Sequence, residues 1–247
     1  MKQLLLFLLT VPAWVFADGL TDVRATLQRL QSDEPLRARI EVKTLRLGGE
    51  SDKQKQSQAT SAVIVESGPQ GLTLSWSPEQ IKQSRKAAWA QTSDPDMAKS
   101  DLASLKALAA GDALNLLDAA DPLRRGLEKA VLREDKRDTY QGKAVRLLVF
   151  KVDLGLDEEE RKALKSSEAI MKLWLDGDGV PLAMERDIQA RFSKFLIGFR
   201  VHEHETREFH RSGGRLVVTH ASKDSSGSGL GHSDESHTIT TVTLLTD

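Results

Sequence analysis

The most informative absences from this chain of 247 residues are those of cysteine, of aromatic side chains and of net charge. It contains no cysteine, 5% aromatic residues and a formal net charge of -1. Without cysteine there are no disulfides and no thiol chemistry, so stability must come from a core that needs no covalent crosslinks. Near-neutral charge and few aromatic residues argue against nucleic-acid binding, which depends on basic surfaces and base stacking.

Long apolar runs are also missing, except at the beginning of the chain. A positive start at Met1–Gln3 precedes an apolar stretch from Leu4 to Val15, and Val15 and Ala17 place small residues at positions −3 and −1. This is typical of a secretory signal peptide, so we predict export and cleavage after Ala17. A membrane anchor is the alternative, but spanning a bilayer requires about 20 apolar residues. No later segment of the sequence is long and apolar enough to span a membrane.

The last third of the chain has the pattern of antiparallel strands. Ile170–Asp176 and Val180–Phe192 flank a Gly-Asp turn, and such a pair between apolar runs predicts a β-hairpin. A second hairpin is predicted around Gly213–Gly214, and His237–Thr246 is predicted to form the last strand. The segment 223–235 is rich in serine, glycine and aspartate, so it is predicted to be a mobile loop.

The expected register of the first hairpin pairs Leu175 with Val180 and Leu173 with Leu182. Because side chains alternate between the two faces of a strand, this register collects most apolar residues on one face. These residues are Met171, Leu173, Leu175, Val180, Leu182, Met184, Ile188, Ala190 and Phe192. Two residues do not follow the pattern, since Arg186 falls on the apolar face and Trp174 on the polar face.

The preceding two thirds of the chain predict helices and strands in alternating blocks. The predicted elements are a helix at Gly19–Gln31, strands at Arg37–Leu47, Ala59–Glu66 and Leu72–Trp76, helices between 78 and 135 that include Pro78–Gln91, Met97–Leu108 and Pro122–Arg133, a strand at Ala144–Val152 and a helix at Leu156–Ala169. Consecutive strands joined by hairpins favour an antiparallel sheet with helices gathered on one side, which is an α+β fold. Because Ala144–Val152 is apolar on both faces, it is predicted to be a central, doubly covered strand.

The residues Trp174-Leu175-Asp176, Gly179 and Pro181-Leu182 resemble a motif of the periplasmic lipoprotein-carrier superfamily. This superfamily includes the lipoprotein-sorting carrier, its outer-membrane receptor and a sigma-factor regulatory sensor. The resemblance in the order of elements extends over most of residues 18–247. It implies a single periplasmic domain, a curved antiparallel sheet or incomplete β-barrel covered by helices, with a helical insertion at about 78–135. In this family the apolar cavity between barrel and helices takes acyl chains.

A curved sheet whose apolar face is incompletely covered leaves a cavity suited to an apolar ligand. The predicted ligand-binding residues are Trp76, Leu173, Leu182, Met184, Ile188 and Phe192. The same residues also fit an ordinary sheet–helix core without a ligand. The predicted function is a non-catalytic carrier or sensor that binds a lipid, an acyl chain or a lipoprotein. The alternative is a cell-envelope adaptor or structural protein that binds another envelope protein through residues 78–135.

Catalytic and metal-binding patterns are weak. His202 and His204 share one strand face, with His210 further along, and could chelate a transition metal, but they also fit a solvated strand face. His220 is expected on the opposite face. The run Asp176–Gly179 does not continue as a calcium loop. We therefore predict no enzyme activity, no cofactor and no metal site; a hydrolase or metal-dependent enzyme would need a specific site at His202 and His204.

Overall fold

The computed structural model describes residues 19–50, 54–93, 108–194 and 197–245. Most of these residues lie in one open, antiparallel sheet. Its ten strands are β1 Leu36–Glu50, β2 Lys55–Gly68, β3 Gly71–Ser75, β4 Val131–Tyr140, β5 Lys143–Lys151, β6 Leu164–Leu175, β7 Pro181–Lys194, β8 Ile197–Ser212, β9 Arg215–Gly229 and β10 His232–Leu244. The helices in the described ranges are α1 Gly19–Arg29, α2 Pro78–Ser93, α3 Ala110–Leu117, α4 Ala120–Leu127 and α5 Glu158–Ala163. The α+β class and the antiparallel sheet agree with the prediction.

The strand order is β3-β2-β1-β10-β9-β8-β7-β6-β5-β4. Strands that are adjacent in the sheet are also consecutive along the chain, with one exception: the first strand, β1, pairs with the last strand, β10. The short strand β3 and the strand β4 form the two edges. Strand β5 is buried on both faces, as predicted for Ala144–Val152, but it lies second from an edge rather than in the centre.

The turn between β8 and β9 is the predicted one. Ser212 pairs with Arg215, and Gly213 has a φ of 56°, which a glycine adopts without a steric cost. The turn between β6 and β7 is wider than predicted. There, the Asp176 carboxylate accepts hydrogen bonds from the backbone N–H groups of Asp178 and Val180, both at 2.9 Å.

The wider turn changes the register of the first hairpin. Leu173 pairs with Met184 rather than with Leu182, and Leu175 lies opposite Pro181 across an irregularity that leaves Leu182 without a pairing partner. Leu173 and Met184 still share a face, because the observed partner of Leu173 is two residues further along β7 than the predicted one and side chains alternate with a period of two. The predicted position of Leu182 on that face is wrong, since a bulged residue no longer follows the alternation.

The prediction of a mobile loop at 223–235 is wrong. These residues form the second half of β9 and the start of β10, joined by a two-residue turn at Leu230–Gly231 with φ values of 53° and 76°. Pairing with β8 on one side and β1 on the other supplies the backbone hydrogen bonds that the polar composition does not reveal. Close packing explains the glycine at position 229, because a Cβ there would lie 2.5 Å from Cδ1 of Phe199.

Two of the predicted helices end earlier than expected, whereas the one predicted at Pro78–Gln91 extends to Ser93. Residues from Val131 onward form the edge strand β4 instead of completing a helix at Pro122–Arg133. Likewise, only Glu158–Ala163 of the helix predicted at Leu156–Ala169 is helical, and β6 begins at Leu164. The predicted signal peptide and residues 97–107 of the predicted third helix lie outside the described residues.

Helices α1, α3 and α4 and one face of the sheet share a single apolar core. Its members include Val23, Leu27, Ile40, Val42, Val63, Val65, Leu117, Leu123, Leu127, Leu148, Phe150, Met171, Leu173, Leu175, Met184, Leu216 and Val242. Helix α1 packs on α4, and the Arg24 guanidinium donates hydrogen bonds to the carbonyls of Leu127 and Glu128 at the end of α4. The sheet face that contributes to this core is called the inner face below, and the opposite one the outer face.

Candidate functional site

The inner face continues along β7 and β8 beyond the core. Counting every second residue from the buried Met184, the inner-face positions of β7 are Arg186, Ile188, Ala190 and Phe192. The face thus changes from apolar core to charge at Arg186, and back to apolar residues towards the end of the strand. Strand β8 shows the same change in the opposite direction, because the two strands are antiparallel.

The apolar residues at this end are called the distal patch and comprise Ile188, Ala190, Phe192, Phe199 and Val201. Phe192 pairs with Phe199, and Ala190 with Val201, so the residues form adjacent cross-strand pairs. Phe199 and Val201 are 39% and 42% exposed, Ile188 and Phe192 are half-buried, and Ala190 between them is buried. Contiguous exposed apolar side chains are unusual on a soluble surface and mark binding sites.

An ion network of five side chains separates the distal patch from the core. Arg186 Nη2 lies 2.6 Å from Glu203 Oε1 and 2.8 Å from Glu205 Oε2. Arg207 Nη2 lies 2.6 Å from Glu205 Oε1, and Lys223 Nζ lies 2.8 Å from Glu203 Oε2. The order is therefore Lys223–Glu203–Arg186–Glu205–Arg207, with a cation at each end.

Burial makes this network different from the surface ion pairs of the molecule. Glu205 is only 4% exposed. Burial raises the pKa of Glu203, but the ammonium of Lys223 and the guanidinium of Arg186 outweigh it, so the pKa lies below the ordinary value and Glu203 stays ionised. The Nε of Arg186 and the Oε2 of Glu205 are both buried without a hydrogen-bond partner, although this oxygen lies 2.8 Å from Nη2 of Arg186. The donors left over for a ligand are therefore those of Lys223, the most exposed member of the network.

The six predicted ligand-binding residues lie in three places in the structure. Leu173 and Met184 are buried in the core, and Trp76 is half-buried against it with its Nε1 unpartnered. Ile188 and Phe192 belong to the distal patch. Leu182 is separate from both, because it lies at the bulge and borders a depression that includes Tyr140 and Phe209.

Sequence reasoning did not assign Phe199, Val201 or the ion network to the site. The position of Arg186 on an otherwise apolar strand face was the available signal. The partners Glu203 and Glu205 also alternate with the histidines of β8, so they fall on the face opposite to His202 and His204. The alternation therefore places the two carboxylates beside Arg186 and Ile188 on the inner face, away from the histidines.

The histidines lie on the outer face. His202 Nε2 is 2.9 Å and His204 Nδ1 is 3.6 Å from Oδ2 of Asp187, and His237 Nδ1 is 2.6 Å from Oδ1 of Asp224. Burial raises the pKa of Asp187, but hydrogen bonds from His202 and from a neighbouring glutamine outweigh it and lower the pKa overall. Within the described ranges no three His, Cys, Asp or Glu side chains are arranged to hold a metal ion.

The expected position of His220 is wrong. His220 pairs directly with Glu208, which shares the strand parity of His202 and His204, so His220 lies on their face. An irregularity between Glu208 and Phe209 shifts the pairing by one residue and reverses the faces. It remains four residues further along the strand pair than His204, and it forms no shared site with the other histidines.

The outer face also carries a polar groove of about 640 Å³ near the ends of β6 to β10. Its lining includes Glu168, Gln189, Arg191, Arg200, His202, Ser226 and Glu235. Charged and hydroxyl side chains are the most numerous in this lining, and Ala190 and Val201 of the distal patch border the groove as well. The distal patch with the ion network is the stronger candidate for an amphipathic ligand, because there the apolar side chains form adjacent cross-strand pairs beside the charges.

No family model matches the chain, and no curated protein matches it. None of the helices in the described part of the chain is long and apolar enough to cross a membrane.

Proposed function

We propose that this protein is a non-catalytic periplasmic carrier or sensor that binds a lipid, an acyl chain or a lipoprotein in the apolar cavity of a half-barrel covered by helices. The observation that carries the proposal is the distal patch. Its apolar side chains continue the inner face beyond the core, and two of them are about two-fifths exposed. A soluble protein gains little from such a surface unless something covers it.

The strength of binding to such a surface follows from apolar burial. Removing a methylene group from water contributes about 0.8 kcal/mol. An acyl chain that buries several methylenes on the distal patch therefore binds with useful affinity even without polar contacts. Because Leu173 and Met184 fill the core, we assign ligand contact to Ile188 and Phe192, and we add Phe199 and Val201.

The test is native mass spectrometry of the mature protein purified from an envelope extract, with Val201→Asp as the variant. Leu45→Asp is the matched control because Leu45 is 40% exposed on the outer face, against 42% for Val201. We expect wild type and the Leu45 variant to carry an added mass that organic solvent removes, and the Val201 variant to lose it. A clean apo mass for the wild type would contradict the proposal.

The second candidate function is an envelope adaptor that binds another protein through the helical segment after β3. It is favoured by helix α2, where Ile81 and Trp89 are 37% and 82% exposed. If the protein is an adaptor, we expect the wild type to carry no lipid and to crosslink to one defined partner protein. Trp89→Ser should then abolish the crosslink, and Val201→Asp should leave it unchanged. The opposite pattern would favour lipid binding.

A further inference from the structure

The ion network beside the distal patch carries information about the ligand. Its three cations, Arg186, Arg207 and Lys223, face two carboxylates, Glu203 and Glu205, so one positive charge is not balanced within the network. The side chains of the cations are 24% to 43% exposed, against 20% and 5% for the two carboxylates, so the surplus positive charge is accessible to a negative partner from outside.

The donor groups lead to the same conclusion. An ammonium carries three N–H donors and a guanidinium five, so Lys223 has donors left after its contact with Glu203. Its side chain is 43% exposed, which makes it the accessible end of the network. An anionic oxygen at this end of the network accepts hydrogen bonds from the remaining donors of Lys223 and balances the surplus positive charge.

The geometry places the charge at one end of the apolar surface. Ile188 is the direct cross-strand partner of Glu203, so the distal patch begins at the network without a gap. From Ile188 to Phe192, the apolar part of β7 advances four residues, or about 13 Å at roughly 3.3 Å per residue. One leaflet of a bilayer has a hydrocarbon depth of about 15 Å, half of the full core. The face therefore matches a single extended acyl chain with a headgroup at one end.

We propose that the bound ligand is an acyl chain with an anionic headgroup, a carboxylate or a phosphate, whose charge binds at Lys223 and Arg186 while its chain covers the distal patch. This inference rests on the proposed lipid-binding function and narrows the class of lipid. The network then has two roles: it ends the core and it selects the headgroup. Charge-assisted hydrogen bonds provide the selection, since they are about twice as strong as neutral ones.

The experiment compares two probes of equal chain length, laurate and uncharged monolauroylglycerol, by calorimetric titration below their micelle-forming concentrations. We expect wild type to bind laurate at least about tenfold more tightly, since a hydrogen bond to a charged group contributes about 1.5–3 kcal/mol. Added salt should weaken laurate binding and leave monolauroylglycerol binding unchanged.

The variants are Lys223→Gln, Lys223→Arg and the control Lys172→Gln. Lys172 lies on the outer face, 2.9 Å from Glu185, with a side chain 41% exposed, so it matches Lys223 in pairing and exposure. We expect Lys223→Gln to lose the preference for laurate, and Lys223→Arg and Lys172→Gln to keep it. Circular dichroism and a thermal melt verify that each variant is folded.

The outcomes separate the two levels of the proposal. If both probes bind wild type equally and Lys223→Gln changes neither, the headgroup inference is wrong and lipid binding stands. If neither probe binds wild type, the proposed function is wrong. If wild type prefers laurate but Lys172→Gln removes the preference as well, the preference comes from the overall positive charge of the protein surface. The assignment of the headgroup to Lys223 is then wrong.

Discussion

The two halves of the inner face are built on the same strands and have opposite properties. In the half next to the turn between β6 and β7, Leu173 and Leu175 are fully buried and share a core with side chains of α1, α3 and α4. In the other half, Phe199 and Val201 are about two-fifths exposed. The strand pattern is apolar in both halves, so the helices decide which half becomes a closed core.

The boundary between the halves is charged rather than polar and neutral. Arg186 and Glu205 occupy positions that would otherwise extend the core along β7 and β8. Ion networks of this kind seldom add stability over well-packed apolar residues, but they can specify where a core ends. We infer that the network keeps the two apolar regions separate and leaves the distal patch available.

The largest expected difference between the halves is in the free energy of unfolding. Leu173→Ala should lower it by about 3 kcal/mol, because a buried leucine leaves a cavity when truncated. Ile188→Ala should lower it by about 1 kcal/mol, because Ile188 is only half-buried and its site is not closed. Urea unfolding at constant m-value measures both. Equal losses would mean that the distal patch is ordinary core.

The ion network gives the next largest effect. Glu205→Gln should lower the free energy of unfolding by about 2 kcal/mol, since it leaves Arg186 and Arg207 without their shared carboxylate in a buried position. The matched change Glu185→Gln breaks an exposed pair with Lys172 and should cost less than about 1 kcal/mol. Thermal melts of both variants make the comparison, and similar melting temperatures would show that the network is no more buried than a surface pair.

The smallest effect is the pH dependence that the network adds. The folded pKa of Glu203 lies below its ordinary value of 4.5, so its contribution to stability is present above that value and is lost as pH falls towards the folded pKa. Glu203→Gln should therefore be less stable than wild type at pH 7, and the difference should shrink below about pH 4.5. A difference that stays constant down to pH 3 would contradict this.

The sequence predicted the elements with strong local signals. The glycine turn at Gly213–Gly214, the alternation in β1 and the apolar run of β5 all appear as expected. Strand β4 was missed because an edge strand with charges at successive positions lacks the alternation that identifies a half-buried strand. The end of β9 and the start of β10 were missed for a related reason, since Ser, Gly and Asp favour turns when no neighbouring strand is considered.

The candidate site was predictable in part. Alternation along β7 correctly grouped Ile188 with Phe192, since parity within one strand does not depend on the partner strand. Leu182 was misplaced because a bulge reverses parity, and bulges follow from turn geometry that composition does not specify. The separation of Leu173 and Met184 from the distal patch could not be predicted, because it depends on where the helices pack.

By itself, the sequence determined the absence of disulfides, the antiparallel character of the sheet and the apolar face of β7, because each follows from residue type and local period. Tertiary structure alone decided the register of the β6–β7 hairpin, the meeting of five charged side chains from three strands and the division of the inner face. These features depend on residues far apart in the chain, such as Arg186 and Lys223, whose proximity arises only when the strands pair.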